Sequence, residues 1–254
     1  VFFLGFLGAM FSSYNLWFVV PITNQAEPER RLAPVEAGLM DLENPDPPPA
    51  KKPFLPRFNL ERSLKLMRVD ILKGNFRRIL WLLVIFHITQ FLPIPIFSLY
   101  MVDILHFNDQ VIGLGTALFN VTVFLGSLQF SRISVRWGNQ RTTGVGIILL
   151  GLYPILLAFS HGLSFYIVAS LFGGAAWSLI GGALYNYLLE QAPEDDRPAY
   201  MAWYNIGLNA AILVGSLGGT AIAGWIGLTT ALIVFGLARS VSGLLILRWG
   251  GSRL

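Results

Sequence analysis

Along most of this chain apolar residues run in stretches of about 17 to 27, with one long polar interruption at residues 23–78. One stretch, 1–22, precedes the interruption; six follow it, at 79–102, 111–130, 143–160, 163–189, 199–223 and 226–248. At about 1.5 Å per residue, each is long enough to cross a hydrocarbon layer of about 30 Å as a helix. The pattern predicts an all-α polytopic membrane protein with seven transmembrane helices in a one-plus-six arrangement. A soluble globule is disfavoured by composition, since 54% of residues are hydrophobic and 13% charged, against about 25% charged in ordinary soluble domains.

The interruption has two parts. Residues 24–58 hold eight of the 14 prolines, mixed charge and few large apolar side chains, a composition that predicts an extended tether. Residues 60–73 differ: Leu60, Leu64, Met67 and Ile71 recur at helical spacing, with Arg62, Lys65, Arg68 and Lys73 on the remaining surface, Asn59 as a cap and Gly74 as a stop. This predicts an amphipathic helix lying on the membrane face, with an ordinary solvent-facing helix as the other reading.

Charge then sets an orientation. The interruption, the connections 131–142 and 190–198 and the tail together carry 17 of the 18 Lys and Arg, whereas the connections 103–110, 161–162 and 224–225 carry none. Basic residues gather on the cytoplasmic side of membrane proteins, so the linker and the C-terminus are expected in the cytoplasm of a cell with this protein in its (inner) membrane. The same asymmetry accounts for the net charge of +4 and the pI near 9.5 without a nucleic-acid partner. With no Cys and three scattered His, neither a metal site nor a cofactor is expected.

Polar residues inside the spans are the candidates for function, because an unpaired polar group in lipid is costly. Thr116, Asn120 and Ser127 recur at intervals of four and seven, as do Asn205, Asn209 and Ser216; His87, Gln90 and Ser98 form a looser stripe, and Trp177, Gly181 and Tyr185 follow one helical face. Such stripes fit a solute path, and each polar side chain also fits an interhelical hydrogen bond worth ~0.6 to 2 kcal/mol. His87 is a candidate proton carrier or a neutral His bonded to a carbonyl. Pro93 and Pro95 remove two helical hydrogen bonds and should loosen the outer half of their span. Arg239, inside the last span, should face the bundle and meet a carbonyl, an anionic solute or a carboxylate, unless it snorkels to the interface. The glycine pairs 173–174, 181–182 and 218–219 mark close helix contact rather than a phosphate loop, since no G-x-x-x-x-G-K-[ST] is present.

One helix, a long linker and six tightly connected helices resemble the sixth to twelfth helices of a major facilitator superfamily transporter. The stretch 131–141 lies where the second half of that family repeats its G-x-x-x-D-R-x-G-R-R motif; Arg136 and Gly138 match, while Ser131, Val135, Asn139 and Gln140 differ. Residues 189–200 resemble the family's loop between its tenth and eleventh helices. The resemblance implies a transmembrane helix at 1–22 that ends a missing N-terminal half, a cytoplasmic linker at 23–78, and a six-helix half at 79–254 built from two inverted three-helix repeats. It further implies that the spans bearing His87, Gln90, Thr116, Asn120, Trp177, Tyr185, Asn205 and Asn209 border a central cavity. The expected activity is secondary active transport of a small solute, with proton-coupled efflux of a neutral or amphipathic compound as its form. A seven-helix receptor or sensor is the alternative. A membrane-embedded enzyme would need a cluster of catalytic groups, and none is seen.

Overall fold

A computed structural model describes residues 68–251. The predicted helix at 1–22, the tether and residues 60–67 of the predicted amphipathic helix lie outside the described residues. Within them the chain is helical without strands, and six segments are long and apolar enough to cross a membrane.

The first span, Phe76–Ile104, is built from three pieces: α1 (Phe76–Phe91), the short α2 (Ile94–Leu99) and a π turn at Tyr100–Ile104. The break falls where the prolines predict it. Pro93 has no N–H to give to the carbonyl of Thr89, and its own carbonyl restarts the chain by accepting from Ile96 and Phe97 at 3.1 and 3.0 Å. The remaining spans centre on α3 (Asp109–Trp137), α4 (Asn139–Ala158), α5 (Leu163–Glu190), α6 (Arg197–Ile226) and α7 (Leu228–Trp249).

Two connections are tighter than expected. The predicted loop 131–142 is not a loop: α3 continues to Trp137, α4 starts at Asn139, and Gly138 alone turns the chain at φ 80° and ψ 156°. Gly227 does the same between α6 and α7 at φ 84° and ψ 153°. A positive φ of this kind favours Gly. A polar composition at 131–142 was compatible with a loop, but the basic side chains ride on the ends of two helices instead.

The packing follows a two-fold pattern. α4 lies along α7; α5 packs on α3 and α4; α1 packs on α6 and α7. Exchanging the first span with α5, α3 with α6 and α4 with α7 maps these contacts onto one another, as two three-helix repeats require. The α4–α7 seam is made of glycines seven apart. A Cβ on Gly236 would sit 2.5 Å from the carbonyl oxygen of Gly151, and one on Gly243 would sit 2.7 Å from that of Gly144, so only bare backbone permits this approach.

Ahead of the first span, the predicted helix does not run through residue 73. Val69–Lys73 is a 3-10 turn, and Arg68 before it is left-handed at φ 49°. Arg68 is held by two carboxylates, Asp70 at 3.1 Å and Asp196 at 2.8 Å, and a regular helix would carry it away from the second. Ile71, expected on a lipid-facing stripe, is buried in the same apolar cluster as Phe76, Leu80 and Tyr204.

Candidate functional site

All six spans contribute to one cavity of about 490 Å³, which runs from mid-span at Gln90, Phe119 and Arg239 toward the end of the bundle that holds Glu190 and Arg197, at Tyr185 and Tyr204. Its wall is mostly apolar and aromatic, with Phe86, Phe97, Phe119, Tyr153, Trp177 and Tyr204 among the rings. Tyr153 is the hub of one group, with centroids 5.2 Å from Phe97 and 5.9 Å from Phe119. Tyr204 links a second, standing 5.6 Å from His87 and 6.1 Å from Tyr185.

Among the residues singled out from sequence, His87, Gln90, Trp177, Tyr185 and Arg239 line this cavity. His87 is buried, and its two ring nitrogens have different jobs. Nδ1 lies 2.8 Å from the carbonyl of Leu83, which can only accept, so Nδ1 carries the hydrogen. Nε2 then accepts from the Tyr204 hydroxyl at 3.1 Å.

Arg239 sits at the middle of α7 and is 1% exposed, so it does not snorkel. Its Nη2 donates to the Gln90 carbonyl at 2.8 Å and to the Thr89 carbonyl at 3.5 Å, and its Nη1 to the Leu150 carbonyl at 3.4 Å. The Thr89 carbonyl is the one that Pro93 leaves without a helical donor. Arg239 therefore closes the break in the first span from the side, satisfying backbone that lipid could not. From the other side the break is met by α6, where a Cβ on Gly215 would lie 2.9 Å from the Ile88 carbonyl oxygen and one on Gly219 would collide with that of Leu92.

Thr116, Asn120, Asn205 and Asn209 lie outside the cavity wall, on exposed faces of α3 and α6. Thr116 donates to the Ile112 carbonyl at 2.9 Å, Asn120 to that of Thr116 at 2.8 Å and Asn209 to that of Asn205 at 2.7 Å. The wall positions on these helices are their neighbours Phe119, Tyr204 and Leu208. One residue on a helix is about 100° of rotation, and the aromatic rings of Phe119 and Tyr204 were the signal that polar spacing passed over.

The matched motif residues are at one end of the bundle, away from the cavity. Gly138 forms the α3–α4 turn, its N–H bonded to Ser134 at 2.9 Å and its carbonyl to the Thr142 hydroxyl at 2.8 Å. Arg136 is exposed on the last turn of α3. That end is tied together by Asn139 to Glu190 at 2.6 Å, Arg78 to Gly251 at 2.7 Å and Tyr187 to Gly250 at 2.6 Å. Among the described residues it also gathers every Lys and Arg except Arg239.

Six apolar spans in two interlocked triplets around a shared cavity define a multi-pass membrane bundle. Residues 79–252 match the Major Facilitator Superfamily, more than half of the chain, and the chain belongs to that family of membrane transporters. A comparison with curated proteins gave no match.

Proposed function

We propose that the chain forms the solute-binding half of a secondary active transporter that works by alternating access, and that the mid-span cavity holds the solute. The observation that carries this reading is an aromatic cavity of about 490 Å³ within a bundle of transporter family; small-molecule sites have volumes of about 300–1,000 Å³ and just such mainly apolar walls. An amphipathic solute suits the lining, with efflux as the direction. Thr116, Asn120, Asn205 and Asn209 belong to the same path: their faces on α3 and α6 are uncovered, and polar groups at that depth call for another half of the transporter rather than lipid. The end that carries Arg68, Arg78, Arg136 and Arg197 is cytoplasmic, by the sorting of basic residues.

His87 supplies proton coupling in this proposal. While neutral, it receives the Tyr204 hydrogen; once Nε2 is protonated, the bond reverses and the Tyr204 hydrogen is released toward the cavity. Protonation thus changes what the wall offers a solute. Transport measured in vesicles of the full-length protein should respond to an imposed pH gradient, and His87→Gln should abolish that response; an undiminished response in the variant removes His87 from the cycle.

A further inference from the structure

We propose that the solute is an organic monoanion: an apolar, preferably aromatic body bearing one negative charge that meets Arg239. This rests on the cavity being the solute site, and goes beyond it to the charge of what binds.

Among the described residues, Arg239 is the one Arg, Lys, Asp or Glu in the cavity wall. Its three hydrogen bonds run to backbone carbonyls, which orient the guanidinium without neutralising it. Nε is buried and has no partner. A basic side chain at mid-membrane costs ~2.5 to 3.5 kcal/mol even on insertion scales. The usual remedy, a carboxylate, does not occur there: the acidic residues among those described, Asp70, Asp103, Asp109, Glu190, Glu194, Asp195 and Asp196, all sit at span ends or in connections. A positive charge therefore faces an aromatic chamber. Low polarity strengthens its pull on an anion and its repulsion of a cation, and a neutral guest leaves it uncompensated.

A second group supports the same sign. The Oε1 of Gln90 is also buried without a partner, on a residue that lines the cavity. Turning the terminal amide over presents its NH2 in place of that oxygen, adding a donor for an anion without moving any helix. The rest of the wall, from Phe86 to Trp177, offers rings against which a flat apolar body can stack.

Three probes of nearly equal size separate the possibilities: 2-naphthoate, the neutral 2-naphthamide and the cationic 2-naphthylmethylammonium. Binding is measured by calorimetry on the full-length protein in lipid nanodiscs. The expected result is that naphthoate binds at least tenfold more tightly than the amide, with no measurable binding of the ammonium. Arg239→Gln should bring naphthoate down to the level of the amide, and Arg239→Lys should restore most of the difference. If Arg239→Gln fails to fold, the ranking of the three probes on the unaltered protein still decides. Equal binding of naphthoate and naphthamide, or preference for the ammonium, overturns the anion and leaves the cavity as a solute site; the former outcome is also what a carboxylate elsewhere in the protein, already paired with Arg239, would produce. Failure of all three probes to bind overturns both.

Discussion

α4 and α7 meet through bare glycine backbone, whereas α3 and α6 lean on the bundle by one side and leave the rest uncovered. In the most apolar 18 residues of each span, 56% and 44% are buried for α4 and α7, but 6% and 22% for α3 and for the span containing α6. Both pairs are equally hydrophobic in bulk, so hydropathy does not tell them apart. The difference lies in how many neighbours each helix has: α4 and α7 pack on each other and on α5 or α1, whereas the glycines of α6, Gly215 and Gly219, seat one side of it on the first span. Polar residues therefore mean different things in the two regions. In the inner group they hold backbone and cavity together; on α3 and α6 the side chains of Thr116, Asn120, Asn205 and Asn209 are turned outward.

The largest expected effect contrasts two glycines. Gly236→Leu drives a side chain into the Gly151 backbone and should cost about 1–3 kcal/mol or more, read as a loss of monodisperse protein in thermal unfolding. Gly113→Leu on α3, where a Cβ meets nothing within 4 Å, should be tolerated. Similar losses in both would erase the distinction between the two regions.

Next is the break in the first span. Arg239→Met leaves buried carbonyls unpaired, at about 1–3 kcal/mol each. Pro93→Ala returns an N–H to the Thr89 carbonyl and should offset part of that loss. A double-mutant cycle in chemical unfolding should give a coupling of about 0.5–3 kcal/mol; additivity would mean that Arg239 does not serve this break. Tyr204→Phe removes the donor to His87 and should cost about 0.5–1.5 kcal/mol while altering the pH profile of transport. Asn205→Ala and Asn209→Ala should change stability by no more than about 0.5 kcal/mol yet lower transport, since their faces are outward.

The smallest effect belongs to the exposed basic end of the bundle. The Arg68 guanidinium beside Asp70 holds that carboxyl below the usual range. Such a group adds stability above its unfolded-state pKa of about 3.9, and the contribution is lost as pH falls through the lower folded value. Asp70→Asn should therefore flatten a slight acid dependence of unfolding and leave unfolding at neutral pH nearly unchanged.

Much of this arrangement was legible in the sequence, and the exceptions have physical reasons. Apolar length located all six described spans, Pro93 marked the break, and the lone mid-span charge marked Arg239 as facing inward. Glycine pairs were read as contacts, which holds for Gly173, Gly174, Gly182 and Gly219, while Gly181 opens on the cavity. The glycine seam of α4 and α7 was missed although its seven-residue spacing was in view. The 131–142 connection was misread because polar composition reports solvent, not backbone conformation, and one Gly at positive φ suffices for the turn. The faces of α3 and α6 came out one residue away from the cavity because polar spacing was followed where aromatic spacing carried the wall. At Arg68 a distant carboxylate, Asp196, overrode a local helical pattern, which no short window of sequence can reveal.

Water and solute should reach the cavity, and with no Cys in this sequence, and any Cys elsewhere in the full-length protein replaced by Ser, single thiols test it directly. Gly181 lines the cavity with open space where a side chain would project, whereas Leu237 is 54% exposed on the outer surface of α7, close to the depth of Arg239. Single variants Gly181→Cys and Leu237→Cys of the full-length protein in vesicles would be treated with a membrane-impermeant maleimide from each side. The account predicts that Gly181→Cys reacts, with 2-naphthoate slowing the reaction, and that Leu237→Cys does not. A Gly181→Cys thiol no more reactive than Leu237→Cys from either face would contradict it.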